Sequence, residues 1–395
     1  MAASMTVGLI STPGLPADLC THLVKKLPEQ FEKTIDPQVT WETEFTVDPL
    51  VGVAEDINQV LEKANNIKQE NGWDYAITLT DLPFFYDKQL VTANANLKEG
   101  IAQISIPSFG LFPMRKRIRK TLLKLMENLY AGSLFELEKQ KQTRAGRRKY
   151  KKAGKNPFPI SFTKREEGYS NQTGADLRYV ITSRVIGYSR VLLGMTRANR
   201  PWKGFFSFYK VLALAFATGT YISIFSTPWQ LSILYSNYRM IFLMLLAIFG
   251  MVTWIIFSQN LWEKPSEHGK KRWRQLYNGT TFLTLFSLVS INYIVLFGLF
   301  SISVSLFVPP ELFQLSTGMD SDPGIHSYFS LVWFITSAGT LAGAIGSGLE
   351  REENIRNITY SFRQQQRHHE IGQEEDGTSS KQESNDTKKE EGAEN

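Results

Sequence analysis

Cysteine is nearly absent from this chain of 395 residues, in which Cys20 is the only one. A single cysteine cannot form a disulfide within the chain, and it cannot supply the thiolates of a Cys-rich zinc or iron–sulfur site. Histidine is also scarce, and none of the five histidines belongs to an H-E-x-x-H zinc motif. The sequence therefore predicts no metal site.

Catalytic and cofactor motifs are missing as well. No G-x-G-x-x-G follows the first apolar run, and the chain has neither a P-loop nor a G-x-S-x-G segment. We therefore assign no catalytic residue and no cofactor from the sequence. These absences favour a sensing or docking role over an enzyme.

Charge is unevenly distributed along the chain. Residues 1–111 hold 7 Lys and Arg against 15 Asp and Glu, whereas residues 112–204 hold 23 against 6. Residues 205–350 are dominated by long apolar runs, and residues 351–395 are polar. These changes in composition divide the chain into four regions, the last of which is expected to be a cytoplasmic tail, disordered from about residue 364.

Four long apolar stretches lie in residues 205–350, and the sequence predicts that they are transmembrane helices. A helix that crosses a hydrocarbon core of roughly 30 Å needs about 20 residues, and each stretch meets or nearly meets that length. No Asp or Glu lies inside them, which argues against a proton relay built on an intramembrane carboxylate. The stretches run from about Phe205 to Phe225, Met240 to Phe257, Phe282 to Val308 and Phe329 to Leu349.

Basic residues indicate the orientation of these helices. Lys and Arg are abundant before the first stretch and between the second and the third, whereas the loop from Pro309 to Tyr328 has none. Short loops rich in Lys and Arg stay in the cytoplasm. The pattern predicts a multi-pass protein of the plasma membrane with both termini in the cytoplasm.

Three basic segments lie in residues 112–204, which we expect to be a helical juxtamembrane region. The first accompanies a helical apolar pattern from Met114 to Leu129, the second runs from Lys139 to Lys155, and the third runs from Leu177 to Met195. Beside a bilayer, such clusters are attracted to anionic inner-leaflet lipids. The alternatives are nucleic-acid binding, which a neighbouring membrane disfavours, and charges that only enforce the topology. The residues expected to contact the membrane surface are Arg115, Lys116, Arg117, Arg147, Arg148 and Lys149.

The fourth apolar stretch is rich in small residues, among them Gly339, Gly343 and Gly346. Glycines four residues apart let two helix backbones approach closely. We expect these glycines to pack against another helix, either within the chain or, as the alternative, at the seam of a homo-oligomer.

Residues 1–111 alternate strand and helix patterns. Val39 to Val47 alternates with a period of two, which is typical of a strand, and Ala17 to Glu32 has a helical pattern. The order β-α-β-α-β is followed by two further strands, Leu90 to Ala95 and Ile101 to Ile106. This order predicts a cytoplasmic α/β domain with a small mixed sheet.

Polar residues follow several of these strands. In open α/β sheets, ligands bind beyond the carboxyl ends of parallel strands. The predicted ligand-binding residues are therefore Thr12, Asp48, Thr80 and Asp81. The alternative is that they, with the neighbouring Pro and Gly residues, only build turns.

Three parts of the chain stand out together, namely Asp81–Pro83 with Gln103–Pro107, then Gly194–Trp202, and finally Gly343–Glu350. With these segments the chain resembles a poorly characterised family of membrane proteins of Gram-positive bacteria. The resemblance covers nearly the whole chain except the tail, and its most specific part is Arg-Ala-Asn-Arg-Pro-Trp. It implies a cytoplasmic α/β domain joined to four spans, with no settled activity, although some members are labelled methylene-tetrahydrofolate dehydrogenase.

The first 110 residues are also similar to the amino-terminal half of archaemetzincin-like metalloproteases. The similarity rests on the order of elements and on Thr80-Asp81-Leu82 before a strand pair. Where the zinc helix of that family stands, this chain has Arg115 to Leu129 without a histidine. The similarity therefore implies a related fold without the zinc motif.

These observations lead to three functional hypotheses. The first is an integral membrane protein whose α/β domain is a cytoplasmic sensing or docking module. The second is a membrane-bound enzyme with its site at the strand ends near Thr12, Asp48 and Asp81. The third is a small-molecule transporter, which with four spans per chain needs to form an oligomer.

Overall fold

A computed structural model of the chain describes residues 3–49, 57–141, 158–167, 176–263 and 271–346. Arg147, Arg148, Lys149 and the tail from residue 351 lie outside these described residues. The chain divides into two compact units, one that reaches to Ala198 and one that begins at Asn199.

The amino-terminal unit is built from strands and helices that alternate along its first half. Its described strands are β1 (Ala3–Ser11), β2 (Val39–Val47), β3 (Tyr75–Thr80), β4 (Phe84–Tyr86), β5 (Gln89–Asn96), β6 (Ile101–Ser105), β7 (Thr163–Glu167) and β8 (Leu177–Ile181). Its described helices are α1 (Leu15–Leu23), α2 (Leu27–Thr34), α3 (Ile57–Glu70), α4 (Met114–Lys141) and α5 (Arg184–Asn199), with 3-10 turns at Val24–Lys26 and Ile106–Phe109.

The helix expected from Ala17 to Glu32 is two helices in the structure. The 3-10 turn Val24–Lys26 separates α1 from α2, and Pro28 lies in the first turn of α2. Proline has no backbone N–H, so a continuous helix would lose a hydrogen bond at this point. The apolar pattern continues through the break and therefore gave no sign of it.

These strands form one mixed sheet, as the sequence predicted. Their order is β2-β1-β3-β6-β5-β8-β7, with β4 also paired to β5. The neighbours β2, β1, β3 and β6 are parallel, and β5, β8 and β7 continue the sheet in antiparallel pairs. On one face, alternate strand residues such as Leu9, Ile77 and Ile104 share a buried apolar core with Ile118 and Leu122 of α4.

The sheet extends past the boundary expected at residue 111. β7 and β8 come from the segment expected to be a helical juxtamembrane region, and their pairing joins that segment to the α/β unit. β7 has the sequence Thr-Lys-Arg-Glu-Glu and lies at the sheet edge, where charged side chains are common, so it lacks an apolar strand pattern. β8 is fully buried but only five residues long, which is too short for a clear periodic signal.

The second unit is helical among its described residues. Its helices are α6 (Pro201–Gly204), α7 (Tyr209–Ser223), α8 (Ser226–Leu234), α9 (Asn237–Ser258), α10 (Lys271–Phe307), α11 (Pro310–Thr317) and α12 (Ile325–Gly346). Buried side chains form two apolar clusters, one around Val252 and Val289 and one around Phe300 and Ile335.

Three of the described helices are long and apolar enough to cross a membrane, namely Asn237–Ser258, Trp273–Phe307 and Ile325–Ile345. The first expected span differs from them, because α7 has only 15 residues. The first span is long and apolar enough only when two helices, Arg184–Gly204 and Tyr209–Ser223, count as one span that is bent at a short break. Three to four apolar helices could therefore span a membrane.

Candidate functional site

The ends of β1 and β3 meet at Thr12 and Asp81. The Thr12 hydroxyl donates a hydrogen bond to Asp81 Oδ1 at 3.2 Å, and the two side chains are 0% and 2% exposed. The Thr12 N–H donates to the Leu79 carbonyl oxygen at 3.1 Å, which holds the strand ends together. The fold thus joins two of the four predicted ligand-binding residues, which lie 69 positions apart in the chain.

Thr80 and Asp48 also lie at the carboxyl ends of parallel strands, β3 and β2. The Thr80 hydroxyl accepts a hydrogen bond from the Leu82 N–H at 3.1 Å, which closes a turn after β3. The Asp48 N–H donates to the Ser11 carbonyl oxygen at 3.0 Å, and the Asp48 side chain is half-buried. Both contacts stabilise turns, so ligand binding by Thr80 and Asp48 stays a prediction.

Cys20 of α1 is buried near the carboxyl end of β1. Burial raises the pKa of its thiol to about 12, although the nearby Ser11 hydroxyl opposes part of this increase. The thiolate is the reactive form of cysteine. At neutral pH, Cys20 is therefore an inert core residue and not a nucleophile.

A set of polar residues that we did not predict from the sequence crosses the middle of the sheet. Strand register places Thr78 of β3 opposite Gln103 of β6. Gln103 also lies opposite Asn94 of β5, and Asn94 lies opposite Arg178 of β8. Opposed residues of neighbouring strands point to the same face, which here is the face away from α4. These four residues, which we call the polar row, are each at most 1% exposed.

Hydrogen bonding differs along the polar row. Arg178 Nε donates to Asn94 Oδ1 at 3.0 Å, and the guanidinium carbon lies 3.9 Å from the ring centroid of Tyr86. In contrast, neither Oε1 nor Nε2 of Gln103 has a hydrogen-bond partner among the described residues. The hydroxyl of Thr78 has none there either. The middle of the polar row therefore offers buried donors and acceptors that the described part of the chain leaves unused.

The sequence contains a signal for this group. Polar residues occupy alternate positions within strands that are otherwise apolar, as in Thr78 with Thr80 and in Gln103 with Ser105. Such alternation is typical of a half-exposed strand. In this fold the same positions are buried, so the pattern marks a polar interior and not a solvated face.

The chemistry available at the polar row is hydrogen bonding. Its amide, hydroxyl and guanidinium groups can hold a polar molecule by donors and acceptors. Within the described ranges, no three His, Cys, Asp or Glu side chains come together as a metal site.

The basic residues at the start of α4 have different environments. Arg115 and Lys116 are exposed. Arg117 is half-buried, and its Nη1 donates to the Phe109 carbonyl oxygen at 3.2 Å. Arg115 and Lys116 are thus available to a surface, whereas Arg117 also holds the 3-10 turn that precedes α4.

Gly339 and Gly343 of α12 face α7 within the helical unit. A Cβ built on Gly339 would lie 3.0 Å from the Ala215 carbonyl oxygen, and one built on Gly343 would lie 2.9 Å from Ala215 Cβ. Gly346 is the last residue of α12. Gly339 and Gly343 therefore allow two helices of the same chain to approach closely, and a role in contact between copies stays a prediction.

Comparison of the chain with known proteins found no match among protein-family models, curated proteins or solved structures. The resemblance to Gram-positive membrane proteins and the similarity to archaemetzincin-like proteins therefore stay predictions.

Proposed function

We propose that this protein is a multi-pass membrane protein whose α/β unit binds a small polar molecule and acts as a sensing module. The observation that carries the proposal is the side-chain amide of Gln103. It is 1% exposed, lies between Thr78 and Asn94 in the sheet, and has no hydrogen-bond partner on either polar atom within the described part of the chain.

An unpaired buried amide is energetically unfavourable. Each unsatisfied polar group costs about 1–3 kcal/mol, and an apolar side chain of similar shape avoids this cost. Buried polar groups that lack a partner within the chain are commonly satisfied by ordered water or a bound molecule. The Gln103 amide has one acceptor oxygen and two donor hydrogens, so it suits a small ligand that carries both kinds of group.

The helical unit supports a location in the membrane, because three to four of its helices are long and apolar enough to cross one. Residues 112–204 hold 23 Lys and Arg against 6 Asp and Glu. Under the positive-inside rule this excess favours the cytoplasmic side of the plasma membrane for the α/β unit. With the first expected span, about Phe205 to Phe225, as the fourth crossing, both termini would be cytoplasmic.

The test is a thermal-shift screen of the full-length protein in detergent against small polar metabolites. A ligand that binds the folded state stabilises it by RT ln(1 + [L]/Kd), so the shift should increase with ligand concentration. Gln103→Met keeps the length of the side chain and removes the amide. This variant is expected to lose most of the shift.

The matched control is Thr121→Val, because Thr121 is also fully buried and its hydroxyl is also unpaired, but it lies on α4. This variant is expected to respond to the ligand as the wild-type protein does. The proposal fails if no metabolite gives a concentration-dependent shift, or if Gln103→Met responds as strongly as Thr121→Val.

A second candidate function is a membrane-bound enzyme with its site at the strand ends. The buried pair of Thr12 and Asp81 favours it, because a positioned carboxyl group can act as a general acid or base. In that case Asp81→Asn abolishes turnover of the ligand found in the screen, whereas Gln103→Met weakens its binding. Absence of turnover by the wild-type protein would reject this candidate.

A further inference from the structure

We propose that α5 is an interfacial helix, whose inner face is docked on the α/β unit while its outer face lies on anionic lipid headgroups. The inference rests on the proposed membrane location and is independent of ligand binding by the polar row.

The inner face of α5 packs closely on the α/β unit. A Cβ built on Gly194 would lie 2.1 Å from the Pro107 carbonyl oxygen, and one built on Gly187 would lie 3.3 Å from Leu90 Cβ. Val191, at helical spacing between the two glycines, is 0% exposed. Two glycines two turns apart thus let the helix lie directly on the strand ends, where a larger residue at position 194 would not fit.

The outer face of α5 carries two exposed apolar side chains among polar ones. Val185 is 77% exposed and Leu193 is 38% exposed. Ser189 lies between them at helical spacing and is also exposed. Single exposed apolar residues are ordinary, but a helix with one docked apolar face and one uncovered apolar face is typical of an element that contacts a further surface.

Arginine and phenylalanine side chains accompany this outer face. The Arg197 guanidinium carbon lies 4.5 Å from the ring centroid of Phe112, which is 66% exposed. Arg115 is close enough to Arg197 for their charges to repel, and Arg117 is likewise close to Arg190. These guanidinium groups add positive charge beside α5, and positive charge attracts anions.

A second exposed phenylalanine lies near Arg190. Arg190 Nη1 donates to the Ser161 carbonyl oxygen at 3.1 Å, and the next residue, Phe162, is 60% exposed. Aromatic rings beside arginine guanidinium groups suit the headgroup level of a bilayer. There the apolar part of a side chain can contact lipid while its polar end stays in water.

Chain connectivity favours lipid over other anionic partners. α5 ends at Asn199 and α7 begins at Tyr209, so only residues 200–208 separate α5 from the first apolar helix of the second unit. A segment of that length spans at most about 30 Å. The exposed Val185 and Leu193 also suit a lipid surface better than a nucleic acid, which offers mainly phosphate charge.

Site-directed spin labelling tests this inference in the full-length protein. The chain has one cysteine, and Cys20 is buried, so Cys20→Ala gives a clean background. Labels are placed singly through Val185→Cys, Leu193→Cys and Phe112→Cys, with Asn66→Cys at an exposed position of α3 as the control. The protein is reconstituted into vesicles of equal parts phosphatidylcholine and phosphatidylglycerol. Collision rates with oxygen and with a water-soluble nickel chelate then report the depth of each label.

The expected result is low nickel and high oxygen accessibility at positions 112, 185 and 193, and the reverse at position 66. In vesicles of phosphatidylcholine alone, nickel accessibility at position 112 should increase at least twofold, because the anionic headgroups are absent. Nickel accessibility at positions 185 and 193 equal to that at 66 would overturn the inference, and so would spin–spin broadening that shows a second copy on this face. A protein that does not enter vesicles at all would instead reject the membrane location itself.

Discussion

Arg178 and Asn94 lie directly opposite each other on β8 and β5, and Arg178 Nε donates a hydrogen bond to Asn94 Oδ1 at 3.0 Å. A guanidinium that is 1% exposed depends on such bonds, because burying a charge is unfavourable unless it is paired or hydrogen-bonded. The contact links a strand expected from the sequence to one that was not expected. It explains how a segment rich in basic residues becomes part of the sheet.

Asn94→Leu is expected to destabilise the α/β unit by about 1.5–3 kcal/mol, which is the usual effect of losing a hydrogen bond to a charged group. Urea unfolding of the detergent-solubilised protein, followed by tryptophan fluorescence, measures this change. Asn66→Leu on the exposed side of α3 serves as the control and should change the stability by less than about 0.5 kcal/mol. Equal losses in the two variants would contradict the role given to Asn94.

Thr12→Val is expected to destabilise the same unit by about 1–3 kcal/mol, because Asp81 loses a buried hydrogen-bond donor. Asp48→Asn should have a smaller effect, since Asp48 is only half-buried. The two variants are compared in the same unfolding assay. A larger loss for Asp48→Asn than for Thr12→Val would show that the edge of the sheet depends on the Asp48 carboxylate instead.

Gly343→Ala tests the packing of the helical unit. The new Cβ would lie 2.9 Å from Ala215 Cβ, so α7 and α12 have to move apart, at a cost of about 1–3 kcal/mol. A Cβ on Gly298 meets nothing within 4 Å, and Gly298→Ala should be neutral or stabilising by up to about 1 kcal/mol. Thermal unfolding in detergent separates these outcomes. If Gly343→Ala changes the oligomeric state but not the stability, the glycine lies at a seam between copies.

Cys20 is expected to make the stability depend on alkaline pH. Its thiol pKa is about 12 in the folded protein against a reference value of 9.0, so the thiol form is favoured by folding. This stabilisation is fully present below pH 9 and is lost as the pH rises from 9 towards 12, because the unfolded chain ionises first. At pH 10 the loss should be about 1.4 kcal/mol. Unfolding at pH 7 and pH 10 measures it, and Cys20→Ala should remove this part of the pH dependence.

The same environment predicts how Cys20 reacts. A buried thiol with a raised pKa should react slowly with alkylating reagents at pH 8 until the chain unfolds. Rapid labelling of the native protein would show that α1 opens readily or that the thiol is not enclosed.

The sequence by itself determined the elements whose signal is local. Val39–Val47 is a strand with the bounds that its period-two pattern indicates, and α4 begins at Met114 as its apolar spacing predicts. The apolar stretches appear as long helices for the same reason, since hydrophobic periodicity and run length are properties of neighbouring residues. The first stretch is the exception, because it is not one long helix. The short helix α6, which begins at Pro201, and the 3-10 turn Phe205–Phe208 precede α7.

Only the tertiary structure decided which polar residues meet. Gln103 lies between Thr78 and Asn94 because β3, β6 and β5 pair in one particular register, and a shift by one residue would turn its amide to the opposite face. Thr12 and Asp81 meet for the same reason, although 69 positions separate them. Strand pairing depends on the free energy of the whole core and not on the residues next to each strand, so a local pattern marks the polar positions but does not show which of them meet.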